Sequence, residues 1–207
     1  MRIFQVFDAP GNSALPDNLT WRHNLYEPLL DLGHDVVLFS SSEAHRAQRR
    51  GDAAALSAFS RKLLGTIRSE HSKRPFDLFF AYFEDGIVPP EVIDEIRRLG
   101  MLTANFSCNN THQFYLTQEI AKHFDYNLHA ERDAGPKFLR IGAKPLWWPM
   151  ASNPSYYKPY NLPRTTPVSF LGANYALCVC QLDLAPFDTL IWPHLALVAP
   201  AGADASV

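Results

Sequence analysis

The amino-acid sequence predicts an α/β protein with a doubly wound, mostly parallel sheet, and three observations support this fold class. Short apolar runs typical of strands alternate with longer segments of helical periodicity. Glycine or proline separates most neighbouring segments, as expected where helices end. The apolar runs are mostly continuous, which is typical of parallel strands covered on both faces. Such an alternation predicts right-handed βαβ units.

The first unit pairs a short strand that ends at Asp8 with a helix that ends at Gly33. A loop rich in proline, glycine and asparagine separates the two. Apolar residues recur on one face of the helix at spacings of four, four and three: Trp21, Leu25, Leu29 and Leu32. Residues 35–39 then predict a second, largely apolar strand.

The later elements continue the alternation, and the helix at residues 90–99 is the clearest of them. It has proline in its first turn, acidic residues early, arginines late and Gly100 just beyond, as the helix dipole and capping preferences favour. The others are a helix through 56–67, a strand at 76–82, a strand at 102–106, a helix at 112–123, a strand at 126–128, a helix at 131–141 and a strand at 145–148. The result is a Rossmann-like sheet.

Length and composition limit the class of protein. A chain of 207 residues with 47% hydrophobic content fits one full domain and the beginning of a second. A net charge of −2 gives no general attraction to nucleic acid or to an anionic membrane, which favours a small-molecule partner. Three cysteines without a Cys-x-x-Cys pair, no signal-peptide core and no apolar stretch of membrane length predict a cytoplasmic protein without a transmembrane segment.

Several motifs are absent from the sequence. It has no Gly-x-Gly-x-x-Gly, no P-loop and no Gly-x-Ser-x-Gly elbow, which disfavours a bound dinucleotide, a P-loop nucleotide and an α/β-hydrolase. The histidines and cysteines lack zinc-ligand spacing. We therefore expect no metal and no resident cofactor.

Ligands of parallel sheets bind at the carboxyl ends of the strands, which selects four loops. These are residues 9–17, 83–89, 107–111 and 129–133. The candidate substrate-binding residues lie in or beside these loops: Asn12, Ser13, Glu84, Asn105, Asn109 and Asn110. Glu84 and Asp85 are adjacent, so their side chains diverge, and they favour a turn with its corner at Gly86 over a paired-carboxylate hydrolase.

The segment from Asn105 to His112 carries amides, hydroxyls and an imidazole, which suit sugar hydroxyls. The alternative is that Asn109, Asn110 and Thr111 only make the turn and cap the next helix. His112 is the candidate catalytic base, because its ordinary pKa is near neutral pH; the alternative is a half-exposed residue at a helix start. Trp147 and Trp148 fit core or inter-domain packing, or stacking on sugar rings.

Several stretches, in order, resemble the CgeB-like group of glycosyltransferases, which is named for a spore-maturation protein and has the two-domain GT-B fold. The matching stretches are residues 24–36, 76–82, 103–112, 149–154 with 157–159, and 168–172. The resemblance implies that the chain belongs to an enzyme that transfers a sugar from a nucleotide-sugar to an acceptor. It also implies that the acceptor lies against the N-terminal domain and the nucleotide against the C-terminal domain.

The resemblance divides the chain into an acceptor-side domain at 1–152, a hinge at 153–166 and a remnant of the donor-binding domain at 167–207. No lysine or arginine occurs from Thr165 to Val207. We therefore expect a truncation, or a shifted reading frame near Tyr175, with a poorly ordered tail and little transfer by this chain alone. The alternative function is a non-catalytic α/β binding or interaction module that self-associates through its apolar tail.

Overall fold

The computed structural model describes residues 1–7, 19–159, 161 and 163, and the backbone of three strands farther along the chain. The loop at 8–18 lies outside the described residues, and with it the predicted sites Asn12 and Ser13. The predicted break near Tyr175 lies outside them too. The described chain divides into two compact units, residues 1–158 and 159–207, so the second unit begins inside the predicted hinge.

The first unit alternates strands and helices as the sequence predicts. In chain order its strands and helices are β1 (Arg2–Phe7), α1 (Glu27–Asp31), β2 (Asp35–Ser40), α2 (Ser42–Arg50), α3 (Ala53–Lys73), β3 (Leu78–Ala81), α4 (Pro90–Arg98), β4 (Leu102–Ser107), α5 (Asn110–Gln113), β5 (Tyr126–His129), α6 (Gly135–Arg140) and β6 (Pro145–Trp147). Short 3-10 turns lie at Phe114–Leu116, Ile120–His123 and Arg132–Ala134, and a π-helical turn at Arg22–Tyr26 precedes α1.

All six strands pair in parallel, in the order β2-β1-β3-β4-β5-β6. The chain is thus an α/β protein with a Rossmann-like sheet, and the predicted fold class is confirmed. Strand order reverses between β1 and β3, because the chain first adds β2 on one side and then crosses to the other. The carboxyl ends of strands beside such a switch point are where open parallel sheets bind ligands.

The sheet separates two apolar layers. On one face Phe4 and Phe79 pack against α3 and α4, where Leu63 and Ile96 are fully buried. On the other face Phe106 and Ile3 of the sheet pack with Leu25 and Trp21, which the π-helical turn and the residue before it supply. Each layer covers the central strands, so the turns at their carboxyl ends are anchored from both sides.

The predicted helix that ends at Gly33 is present, with Gly33 at φ 78°, but it begins as a π-helical turn. Glu27 donates its backbone N–H to the carbonyl of Arg22, five residues earlier. Pro28 follows and has no N–H to donate, so the regular i→i−4 pattern cannot run through this point.

The predicted helix at 56–67 lies within α3, and α2 precedes it as a separate helix, because Gly51 (φ 67°) ends α2 and the carboxylate of Asp52 accepts the Ala55 N–H at the start of α3. Two other helix predictions need correction. The predicted helix at 112–123 is wrong: the structure has α5 and two 3-10 turns there. The predicted helix at 131–141 is shorter, and its regular part is α6.

The second unit, residues 159–207, is described only as the backbone of β7 (Leu171–Gly172), β8 (Phe187–Trp192) and β9 (Leu195–Pro200). These strands form an antiparallel sheet in the order β7-β9-β8. Among the described residues, no helix combines the length and the apolar character that crossing a membrane requires.

Candidate functional site

Glu84 lies in the turn after β3, and the side chain of Asn105 on β4 bonds to the backbone of the residue before it. The Asn105 side chain is 1% exposed, accepts the Phe83 N–H at 2.9 Å and donates to the Phe83 carbonyl at 3.0 Å. Both polar atoms of this predicted substrate-binding side chain are therefore engaged inside the protein. Asn105 positions the turn, and its assignment to substrate contact stays a prediction.

Asp85 fixes the turn on its far side. Its carboxylate accepts the backbone N–H groups of Glu119 and Ile120 at 3.1 and 2.8 Å, and its own N–H donates to the Leu116 carbonyl at 2.6 Å. Gly86 has a φ of 82°, in the left-handed region that favours glycine. The predicted turn with its corner at Gly86 is present, and the carboxylate and backbone N–H of Asp85 are both engaged in hydrogen bonds that hold it.

Glu84 itself has a half-buried carboxyl group. Burial raises its pKa above the usual carboxyl range, the positive charge of Arg49 opposes this shift, and the negative charge of Asp85 adds to it. Among the described residues no hydrogen bond or ion pair to the Glu84 side chain is present. A partly desolvated carboxyl without a fixed partner has the properties of an acid or base that acts on a ligand.

The side chain of Glu84 borders a small recess between the β3 and β4 loops. The recess holds about 20 Å³, room for about one water molecule. Its polar lining is mostly neutral, and includes Tyr82, Ser107, Cys108, Asn110 and Thr117.

Tyr82 and Cys108 pair across this recess, with 3.3 Å between the phenol oxygen and the sulfur. Burial raises the pKa of both groups, so both are protonated at neutral pH. The Cys108 thiol is therefore not an activated nucleophile. The pair adds neutral hydrogen-bonding groups beside Glu84.

The loop after β4 is held by Glu131, which the sequence reading did not single out. The Glu131 carboxylate accepts the backbone N–H groups of Asn109 and Asn110, at 2.6 and 3.0 Å. Lys137 donates to the carbonyls of Asn110 and Thr111 at 2.9 and 2.5 Å. The only sequence signal for this clamp was the position of Glu131 after the neighbouring strand.

Within that clamp the predicted binding residues differ in exposure. Asn110 is 1% exposed and its amide donates to the Ser107 hydroxyl at 3.1 Å, at the recess. Asn109 has a φ of 61° and makes no side-chain capping bond to α5. The expected side-chain cap is thus replaced by the carboxylate of Glu131.

His112 lies on α5, but its side chain is exposed and is not part of the lining of the recess. Its backbone N–H donates to the Asn109 carbonyl at 3.0 Å. The assignment of His112 as a general base stays a prediction, and Glu84 is better placed at the recess.

The two tryptophans after β5 combine packing with exposure. Trp148 packs on Phe80 and Phe106, with ring centroids 5.9 and 5.3 Å apart, and is 38% exposed. Trp147 is 50% exposed, and the guanidinium of Arg132 lies 4.5 Å from its ring centroid. Trp148 therefore contributes to the core, while the Trp147 ring contacts Arg132 and is half exposed to solvent.

Within the described parts of the chain, no group of three or more histidine, cysteine, aspartate or glutamate side chains is placed to hold a metal ion. Comparisons of the chain with protein-family models, with curated proteins and with solved structures find no match. The candidate function therefore depends on the fold, the site and the ordered stretches of sequence.

Proposed function

We propose that this chain is the acceptor-side domain of a sugar-transferring enzyme, in which Glu84 is the base that acts on the acceptor hydroxyl. The observation that carries the proposal is the half-buried Glu84 carboxyl at the carboxyl edge of the sheet, beside the switch point. The ordered resemblance to CgeB-like glycosyltransferases gives the reaction class.

The surroundings of Glu84 support a neutral, hydroxyl-bearing ligand. Ser107, Asn110 and Thr117 offer hydroxyl and amide groups, and the protonated Tyr82 and Cys108 add no charge. Sugars and alcohols are matched by such neutral donors and acceptors. Among the described residues that line the recess, Glu84 supplies the one carboxyl group, which can accept a proton.

In the proposed reaction an oxygen of the acceptor attacks the anomeric carbon of a nucleotide-sugar. The new carbon–oxygen bond forms as the bond from the sugar to the nucleotide diphosphate breaks, and the diphosphate leaves with the electron pair. The proton of the acceptor hydroxyl passes to the Glu84 carboxylate. A carboxyl pKa raised by burial brings the base closer to neutral pH, where proton transfer is most effective.

A binding experiment tests the proposal, because the chain alone is expected to transfer little. Saturation-transfer NMR on the full chain uses glucose and N-acetylglucosamine as probes, with UDP-glucose as a donor probe. We expect both sugars to bind, Glu84→Gln to weaken them severalfold, and the control Glu43→Gln, an exposed acid at the start of α2, to leave them unchanged. No sugar signal, or equal binding by Glu84→Gln, would overturn the proposal.

Turnover supplies a second readout. The chain with UDP-glucose and either sugar should release little UDP beyond a blank without protein. Rapid release of UDP would contradict the expected inactivity of the chain alone, and loss of that release in Glu84→Gln would still assign the base.

A binding or interaction module is the second candidate, and exposed apolar side chains on β6 and in the segment after it favour it. Leu146, Trp147, Met150 and Tyr157 are each about half exposed, at 47, 50, 56 and 52%. Exposed apolar groups often mark contact surfaces. Light scattering after size exclusion on the full chain distinguishes the two, since a monomer at all concentrations removes the self-association role.

A further inference from the structure

The recess beside Glu84 is lined by a second polar side chain without a partner, that of Thr117. Thr117 lies between two 3-10 turns and is 2% exposed. Its backbone N–H donates to the Phe114 carbonyl at 3.1 Å, and its carbonyl accepts the Ala121 N–H at 3.0 Å. Its hydroxyl, in contrast, has no hydrogen-bond partner among the described residues.

The other buried threonine of the described chain shows what the fold ordinarily provides. Thr103 is 0% exposed, and its hydroxyl donates to the Asp125 carboxylate at 2.9 Å and accepts the Asp125 N–H at 3.0 Å. Buried hydroxyl groups are nearly always paired in this way, because an unpaired one loses its hydration without compensation. A buried hydroxyl without a partner, on the wall of a cavity, therefore indicates an atom that the fold itself does not supply.

The size of the recess limits that atom to one small group. The recess holds about 20 Å³, room for about one water molecule. Its lining extends from the buried side chains of Asn110 and Thr117 to the exposed Gln113, and so reaches from the interior to the surface. The carboxyl group of Glu84 and the hydroxyl of Thr117, both without a partner in the described chain, belong to residues that border this same space.

The charges around the recess restrict its occupant further. The Glu84 carboxyl disfavours an anion. A divalent cation needs about six oxygen ligands, whereas the described lining offers one carboxyl group, and the positive charge of Arg49 acts on that group. Tyr82 and Cys108 are protonated and add no charge. A neutral hydroxyl group fits both unpartnered side chains, because its oxygen accepts one hydrogen bond while its proton is donated to another group.

We propose that the recess binds one neutral hydroxyl oxygen, which accepts a hydrogen bond from the Thr117 hydroxyl and donates one to the Glu84 carboxylate. A water molecule supplies this oxygen in the free protein, and the acceptor supplies it in the complex. The second source rests on the proposed function, since the acceptor hydroxyl is the group that Glu84 deprotonates. Thr117 then sets the position of that oxygen relative to the base.

Crystal structures of the full chain, alone and with methyl β-D-glucopyranoside, distinguish the two sources. We expect a water molecule within hydrogen-bond distance of both Thr117 and Glu84 in the free protein, and a sugar hydroxyl in its place in the complex. A water molecule that stays in the recess while the sugar binds elsewhere keeps the oxygen site and assigns it to water alone. A recess without an oxygen atom in both structures overturns the inference.

Three threonine variants test the hydroxyl of Thr117 in solution. Thr117→Val keeps the shape of the side chain but removes the hydroxyl, and should weaken binding of methyl β-D-glucopyranoside about threefold to tenfold, the effect of one lost hydrogen bond. Thr117→Ser keeps the hydroxyl and should restore most of the binding. The matched control is Thr66→Val on α3, where the hydroxyl bonds to the Lys62 carbonyl of the same helix, and it should leave binding unchanged.

The titration of Glu84 gives a readout that a purely structural role of Thr117 would not change. If the bound oxygen donates to the Glu84 carboxylate, its loss in Thr117→Val should raise the pKa of Glu84 further, since the charged form loses a hydrogen bond. Carbon-detected NMR of the Glu84 carboxyl measures this pKa. Thr117→Ser should titrate like the wild type, and equal pKa values in all variants would contradict the inference.

The outcomes separate this inference from the proposed function. A water molecule held by Thr117 and Glu84, with no binding of any sugar, keeps the oxygen site and overturns the proposed function. Sugar binding that is sensitive to Glu84→Gln but equal in Thr117→Val and the wild type, with no oxygen in the recess, keeps the proposed function and overturns the role of Thr117.

Discussion

Glu84 and Asp125 are carboxyl groups at opposite edges of the same sheet, and their surroundings act on them in opposite ways. Asp125 precedes β5 at the amino edge. One of its oxygens accepts the N–H and the hydroxyl of Thr103 at 3.0 and 2.9 Å, and the other accepts two bonds from Arg97 at 2.8 and 3.0 Å. Burial acts to raise the pKa of Asp125, but these hydrogen bonds outweigh it and the pKa is lowered.

At Glu84, on the carboxyl edge, no hydrogen bond from the described residues opposes burial, and burial raises the pKa against the opposing charge of Arg49. The effect of burial on the carboxyl pKa is thus outweighed at one edge and prevails at the other. A carboxylate whose hydrogen bonds are satisfied within the fold stabilises it. A partly buried carboxyl group whose hydrogen bonds are not satisfied within the described fold lowers stability, and such groups are typical of ligand-binding sites.

Removal of each carboxyl group tests this comparison with the largest expected effect on stability. Asp125→Ala should lower the free energy of unfolding by about 2 kcal/mol, because it leaves the partly buried Thr103 groups without their partner. Glu84→Ala should change it by less than about 0.5 kcal/mol. Urea unfolding followed by circular dichroism measures both.

Arg97→Ala is the control for the first substitution. It removes only the half-exposed partner of Asp125 and should cost less than about 1 kcal/mol. If Glu84→Ala destabilised the protein as much as Asp125→Ala, Glu84 would be a structural residue and the contrast between the edges would fail.

A smaller effect is expected from the backbone of the Glu84 turn. Gly86→Ala should destabilise the protein by about 1 kcal/mol, because alanine is strained at a φ of 82°. Gly65 lies inside α3 with open space around it, so Gly65→Ala should stabilise by about 0.5–1 kcal/mol. Thermal or urea unfolding of the two variants checks this, and effects of the same sign would disprove it.

The smallest expected effect is the pH dependence of stability. Since the folded pKa of Glu84 is raised, the native state binds more protons than the unfolded state between the ordinary carboxyl value of about 4.3 and the folded value. Glu84→Gln should therefore gain stability over the wild type as pH rises through that window, and keep the gain above it.

Asp125→Asn gives the opposite sign. The stability that Asp125 contributes is present above the ordinary aspartate pKa of about 3.9 and is lost as pH falls through its lower folded value. Urea unfolding of both variants and the wild type from about pH 3 to about pH 8 measures the slopes. If the difference in stability from the wild type changed with pH in the same direction for both variants, the fold would shift the pKa values of both carboxyl groups in the same direction.

Much of the fold could be predicted because local signals agreed with one another. At α4, proline at its start, arginines in its last turn and Gly100 beyond it gave bounds that the structure reproduces to within a residue. The six strands were predicted from short apolar runs between turn residues. In these segments propensity, periodicity and capping all favour the same structure.

The segment at 112–123 shows where local reasoning fails. Its place between two predicted strands suggested one helix, but the Asp85 carboxylate accepts the N–H groups of Glu119 and Ile120, and Asn127 donates its side-chain amide to the Ala121 carbonyl at 2.9 Å. These partners come from other parts of the chain and replace helical hydrogen bonds. Local propensity is weak enough for such contacts to override it.

The candidate site divides in the same way. Sequence alone placed Glu84, Asn109 and Asn110 in loops at the carboxyl edge of a parallel sheet, because alternation and turn chemistry are local properties that decide where strands end. The tertiary structure decided that both polar atoms of the Asn105 side chain bond to the backbone of a turn and that the Glu131 carboxylate holds the next loop. It also decided that Glu84 is partly desolvated, since burial and hydrogen-bond partners depend on residues brought together only by folding.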